Sequence, residues 1–569
     1  MYISNYSRRT EAVFLLFLVF LFLCIARLLY IQFFRFQYLA GIAKKQHSLF
    51  IELEPRRGSI FDAMLRPQAL NLPADSLYAS PNIMDEKEKS IAIHKLSSAL
   101  HLNPSYLKDR LKRKKAFVWI LRKLSSEQKE LIDKLKLKGL GFVRETKRSY
   151  PNRYLASHII GFAGLDNIGL EGLEALYNKH LKGTSGWALF LRDARQKRLD
   201  LWEKMVLPKD GYNLVLNIDE VIQYIAEREL DKAFKSHHAR GASIVVVDPH
   251  TGAILALANR PTYDLNDYSN SSKDAMRNRA VCDMFEPGSV FKIVTASAAI
   301  EENKASENDR FFCENGSYRV ANHILHDHQP HGWLTFRQVI EESSNIGVTK
   351  VAQILGPQTV SRYVKLFGFG AKTDIDLPGE IPGKVKEPWE WSKTSIGAIP
   401  IGQEVGVTAV QLAMAISVIA NGGQLMKPYI VREIRDNYGE TIKSFSPVMV
   451  RKVISLDTAA RMRKILTGVV EEGTGKLAKV FGVSVAGKTG TAQKLEPSGA
   501  YSHSKFVASF IGFAPADDPL IAIAVVVDEP HPYYYGGVVA APVFSKVAAD
   551  TVRYLKTQDP QRQLMLSKE

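Results

Sequence analysis

The longest apolar stretch in the chain runs unbroken from Ala12 to Ala26, and after Arg27 it resumes with Leu28, Leu29, Tyr30 and Ile31. A helix over 12–31 is about 30 Å long, the thickness of a bilayer's hydrocarbon core. Residues Gln32 to Phe36 hold no small-residue cleavage site, so the segment predicts a retained anchor instead of a cleaved leader. Arg8 and Arg9 precede it, while Arg35, Lys44 and Lys45 follow, and this near balance leaves orientation open. Residues 32–210 mix strand-like runs with a stretch dense in Lys and Arg, Lys108 to Lys138. Leu111, Phe117, Val118, Ile120 and Leu121 are interspersed there, which predicts amphipathic helix with solvated basic faces.

Near Gly211 the pattern changes. Asn213–Ile218 alternates at strand period, and Val221–Phe234 follows at helical period. Ala242–Val247 and Ala253–Leu257 flank Asp248-Pro-His-Thr-Gly252, which predicts a hairpin. Phe506–Phe513 and Leu520–Val527 predict two further strands, and Ala409–Ala420 and Thr458–Val470 predict helices. Strands at both ends with helices between them give one α+β domain over roughly 211–557.

Composition narrows the classes. At 46% hydrophobic and 24% charged, the 569 residues are not a largely disordered chain. The net charge of +16 lies entirely in residues 1–210, and residues 211–569 are balanced. Such a basic segment suits nucleic acid, a membrane surface or an anionic polymer. No nucleic-acid reading motif accompanies it, so nucleic acid is the least favoured. Three cysteines exclude a disulfide framework, and Cys282 and Cys313 read best as two buried thiols.

Three short motifs carry candidate chemistry. In Glu286-Pro-Gly-Ser289-Val-Phe-Lys292 the break at Pro287 and Gly288 predicts a helix start, with Ser289 and Lys292 on one face. A serine hydroxyl needs an adjacent base to become a nucleophile, and a buried lysine can be that base. The second motif is Ser343-Ser344-Asn345, and the third is Lys488-Thr489-Gly490-Thr491 on a strand-like run from Val483. Strand period sends Thr489 and Thr491 to one face and Lys488 to the other. Gly490 leaves room for a ligand backbone beside the strand edge.

S-x-x-K, S-x-N and K-T-G in this order resemble the penicillin-binding transpeptidases. Arg56-Arg57-Gly58-Ser-Ile-Phe-Asp62, Gly169-Leu-Glu-Gly172-Leu-Glu174, Leu181-Lys-Gly183, Thr408-Ala-Val-Gln411, Ala420-Asn-Gly-Gly423 and Gly536-to-Phe544 extend the likeness over about residues 50–550. The chain is thereby identified as similar to class B penicillin-binding proteins. Glu286, His158–Gly164 and Gly169–Glu174 look more like the division-specific (septal) type.

The resemblance implies a cytoplasmic tail over 1–11, a transmembrane anchor over 12–31 and an elongated pedestal over 32–210. A transpeptidase domain over 211–557, with a central antiparallel sheet flanked by helices, and a tail over 558–569 would follow. The implied activity is cross-linking of peptidoglycan stem peptides through an acyl-enzyme on Ser289, with Lys292 as base. Ser343, Asn345 and Lys488 would complete the catalytic set, and Thr489, Gly490 and Thr491 would bind substrate. β-Lactams would acylate the same serine, and no metal or cofactor is required. The implied setting is the bacterial inner membrane with the catalytic domain outside, beside a polytopic glycosyltransferase and other division proteins. Two departures stand out: Asp62 is followed by Ala-Met-Leu where the family has a glycine-supported turn, and Ala409 stands where the family has Pro.

Rival readings remain. A catalytically weak β-lactam sensor or division scaffold would carry the same residues, and a β-lactamase would have no use for the anchor. Gly482-Val-Ser-Val-Ala-Gly487-Lys488-Thr489 satisfies a phosphate-loop pattern, but that loop needs a helix opening at the lysine. His323, His326, Asp327, His328 and His331 cluster as zinc ligands can, although a polar loop is the favoured reading.

Overall fold

The computed structural model describes residues 3–115, 117–192, 198–496 and 498–558, and they fall into two compact units. One unit holds residues up to Arg56 together with Gly183–Asp210. The apolar stretch is one helix, Ile3–Phe34, of which Arg8–Phe34 is long and apolar enough to cross a membrane. A second helix, Phe36–His47, leads into strand Ser48–Leu53. That strand pairs antiparallel with Gly186–Arg192, which pairs in turn with Arg198–Val206.

The other unit holds Arg57–Lys182 and everything from Gly211, so the expected pedestal is shared between the two units. Its first part is built on strand Pro67–Ala79, paired with Val118–Leu124 and Leu140–Ser149. The basic stretch is not continuous helix. Helix Pro104–Lys112 stops, Val118–Leu124 is a strand, and a capping box of Ser125 and Gln128 starts helix Ser126–Leu135. β-Branched and aromatic side chains at Val118, Trp119 and Ile120 favour the pleated surface, and Val118, Ile120 and Leu124 are buried under it. Strand Asn213–Leu216 pairs parallel with Ile60–Phe61 and antiparallel with Val431–Arg435, so one sheet runs through both parts of this unit.

Residues from Asp219 build the larger part. Helix α1 (Glu220–Ser236) precedes strands β1 (Gly241–Val247) and β2 (Ile254–Arg260). Helices α2 (Lys292–Glu301), α3 (Asn345–Leu355), α4 (Ala409–Ala420) and α5 (Leu456–Glu471) follow. Strands β3 (Ala486–Leu495), β4 (Tyr501–Ala514) and β5 (Ile521–Asp528) and helix α6 (Ala541–Gln558) complete it. The five strands form an antiparallel sheet in the order β2-β1-β5-β4-β3, leaving β3 at an edge.

All of β1 is buried because both faces of the sheet are covered. Ile244, Val246, Ile523 and Val525 pack with Ile222 and Leu230 of α1 and Val547 of α6. The alternate residues Val245, Val247, Ala522 and Ala524 face the core that holds α2, α4 and α5. Nine of the ten residues of α2 are buried, Lys292 among them, so the motif helix is the centre of that core.

Candidate active site

Ser289 lies in a 3-10 turn, Gly288–Phe291, that runs straight into α2 at Lys292. Gly288 holds φ +59°, and a Cβ there would come 2.7 Å from the Thr491 carbonyl oxygen. Only glycine lets this loop turn so tightly against β3. The half-buried Ser289 hydroxyl has no hydrogen-bond partner among the described residues.

Lys292 and Lys488 are both fully buried and converge on one hydroxyl. The Lys488 Nζ donates to Ser343 Oγ at 2.9 Å, and the Lys292 Nζ donates to it at 3.1 Å and to Asn345 Oδ1 at 2.8 Å. Burial lowers the Lys292 pKa to about 7, with the Asp327 charge working in the opposite direction. Burial, then the like charge of Lys292, holds Lys488 well below its ordinary value. Two cations cannot comfortably share this dry site, so a proton held here is readily given up.

Ser343 sits at φ +60°, a left-handed conformation that costs a non-glycine residue about 1–2 kcal/mol. The next residue, Ser344, caps α3 by accepting from the Gly347 N–H at 2.9 Å. The strained turn therefore aims the Ser343 hydroxyl at both lysines, while Asn345 opens the helix beside it. The edge strand β3 supplies the rest. Thr489 Oγ1 lies 2.9 Å from Thr474 Oγ1, and Thr491 Oγ1 accepts from the Gly536 N–H at 3.0 Å. The two threonines thus share the face opposite to Lys488, as strand period requires.

The space beside Gly490 is taken by the chain itself. A Cβ would lie 2.4 Å from Ser509 Oγ and 2.8 Å from the Pro287 carbonyl oxygen, so the glycine admits the nucleophile loop. Lys488 lies inside β3 and opens no helix, which removes the phosphate-loop reading. Asp327 spends both oxygens on the start of α3. Sequence reasoning placed Asp327 in the histidine cluster and overlooked Thr474; the glycines flanking Thr474 were the available signal for a close approach.

A serine, two proton-poor lysines, a bridging hydroxyl and an amide on three converging elements are the parts of a serine acyl-transfer site. Residues 242–549 match the penicillin binding protein transpeptidase domain, and residues 52–216 match the penicillin-binding protein dimerisation domain. The chain belongs to the class B penicillin-binding proteins. Stage V sporulation protein D of Bacillus subtilis is 37% identical, over 99% of this chain and 88% of that protein. The peptidoglycan D,D-transpeptidase FtsI of Escherichia coli is 31% identical, over 89% of this chain and 85% of that one. The crystal structure of penicillin-binding protein 3 from Mycobacterium tuberculosis, complexed with aztreonam, is similar with a TM-score of 0.70 and 28% identity. It covers 89% of this penicillin-binding protein and is itself covered to 97%. Penicillin-binding protein 2X from Streptococcus thermophilus gives a TM-score of 0.72 at 25% identity, covering 90% of this chain and 80% of its own.

Proposed function

We propose that this protein is a serine-type peptidoglycan D,D-transpeptidase that cross-links stem peptides and is covalently inhibited by β-lactams. The observation that carries the reading is the meeting of Lys292 and Lys488 on Ser343 Oγ, with Lys292 one helical turn after Ser289 in the chain. In this mechanism the neutral fraction of Lys292, about half near pH 7, takes the Ser289 proton as Oγ attacks the carbonyl between the two terminal D-alanines. The backbone N–H groups of Ser289 and Thr491 would stabilise the oxyanion, commonly a large catalytic contribution. Ser343 and Lys488 relay the proton taken by Lys292 to the departing D-alanine, and Asn345 holds Lys292 and the substrate amide. The Thr489 and Thr491 hydroxyls, with Gly490 keeping the nucleophile loop close, receive the terminal carboxylate. A second stem's amine then resolves the ester and restores Ser289.

The apolar N-terminal helix supports a single-pass membrane protein; in this reading residues 1–11 lie in the cytoplasm and the catalytic domain meets its peptidoglycan substrate on the outer side. The likeness to FtsI supports a septal role, in which the partners would be a polytopic glycosyltransferase and other division proteins. The likeness to stage V sporulation protein D favours a second setting for the same chemistry, wall synthesis during sporulation. Two measurements on the purified full chain test the activity: lasting labelling by fluorescent penicillin that Ser289→Ala abolishes, and cross-linking of lipid-linked stem peptides. Labelling without cross-linking under permissive conditions would leave a sensor or scaffold.

A further inference from the structure

Asn345 can serve Lys292 only if its amide points the right way, and two adjacent residues outside the three motifs fix it. The Asn345 Nδ2 donates to the His326 carbonyl at 2.9 Å, which leaves Oδ1 facing the Lys292 Nζ. The neighbouring Asp327 holds the backbone: its Oδ1 accepts from the Asn345 N–H at 2.5 Å and from the Ile346 N–H at 3.0 Å, and its Oδ2 accepts from the Ser344 hydroxyl at 2.6 Å. A carboxylate is favoured at this helix end because the first N–H groups of α3 have no intrahelical acceptor.

Charge adds to geometry. Lys292 faces the Lys488 amine from β3, the neutral Ser343 and Asn345 from the turn, and Asp327 from the loop after His326, whose charge is the one that acts on it. Asp327 also acts on the Cys313 thiol, which burial pushes up, and Lys350, paired with Glu314, acts on that thiol with opposite sign.

We propose that Asp327 is a positioning residue of the acylation step. Its carboxylate locks the Ser343–Asn345 turn against Lys292 and steadies the ammonium that forms when Lys292 removes the Ser289 proton. The inference rests on the acyl-transfer reading above.

The test is the second-order rate of Ser289 labelling by a fluorescent penicillin from pH 5.5 to 9.5, on the full-length chain in detergent. Asp327→Asn keeps an acceptor but loses the charge. It is expected to lower the rate at pH 8 by about tenfold or more and to move the acid limb at least about half a pH unit lower, because the ammonium has lost its counter-charge. Ser344→Ala loses a cap hydroxyl but keeps the charge, so it lowers the melting temperature and leaves the limb in place. A wild-type limb in folded Asp327→Asn overturns the proposal. If that variant does not fold, Asp327→Glu carries the test: a slower rate on an unmoved limb supports the proposal, and a moved limb overturns it. A wild-type protein that penicillin never labels counts against the acyl-transfer reading instead.

Discussion

Arg57 and Glu174, 117 residues apart in the chain, meet at 2.6 Å with both side chains fully buried. Arg148 Nε reaches the other carboxylate oxygen at 2.6 Å, and Tyr150 OH lies 3.3 Å from it. Two of the motifs that carry the resemblance before residue 210, Arg56–Asp62 and Gly169–Glu174, are thus halves of one buried network. Burial lowers the Arg57 pKa and raises that of Tyr150, so the single carboxylate is what keeps two guanidinium groups tolerable. Glu174→Gln leaves both cations without their counter-charge and is expected to destabilise this unit by about 3–5 kcal/mol. Urea unfolding measures it, and a loss below about 1 kcal/mol would remove the network from the account of stability.

The network also shows where the sequence was readable. Arg57 and Glu174 stood out only by resemblance, since nothing in either segment signals a partner more than a hundred residues away. The strands β1, β4 and β5 were visible as apolar runs because both sheet faces are covered, and α4 and α5 were visible as stretches of helical length, α4 being buried on every side. Val118–Leu124 was misread because the surrounding lysines and arginines suggest a helix surface, whereas the Ser125–Gln128 capping box marks where the next helix actually starts. In the site, alternation along β3 correctly separated Lys488 from Thr489 and Thr491. Asp327 was not legible, because its role depends on a hairpin that brings it back to α3.

The buried base sets a pH dependence. Burial brings Lys292 to about 7, and only its neutral form can accept the Ser289 proton. As pH rises through about 7 the neutral fraction grows, so penicillin acylation should climb from pH 5.5 and level off by roughly pH 8. A stopped-flow or gel-based rate series reads this directly. A rate that stays flat across that range would show that Lys292 is not the titrating base.

Ser343 sets activity against stability in one residue. Its hydroxyl joins the two lysines, and its φ of +60° suits glycine better. Ser343→Gly should therefore gain up to about 1 kcal/mol in thermal unfolding while acylation falls by about 10²–10⁴. Ser343→Ala should lose the same activity without the gain. Equal melting temperatures for the two variants would mean that the turn holds no strain.

Leu65 explains how the chain closes its first turn without a glycine. It takes φ +61° with its side chain half exposed, and Asp62 Oδ1 closes the turn by accepting from the Met64 N–H at 2.9 Å and the Arg66 N–H at 2.7 Å. Arg66 Nε adds a 2.8 Å ion pair to Asp62 Oδ2. The carboxylate thus holds a leucine in a conformation that L-residues resist. Leu65→Gly should relieve about 1 kcal/mol of strain, offset in part by the greater freedom of glycine in the unfolded chain. Asp62→Ala should cost about 1–3 kcal/mol by releasing three N–H groups, those of Met64, Arg66 and Glu220, and the ion pair together. In the double variant the loss should be smaller than in Asp62→Ala alone, because a glycine no longer needs the carboxylate to stay in place. A double-mutant cycle on thermal unfolding measures that coupling, and strictly additive changes would show that Asp62 does not restrain residue 65.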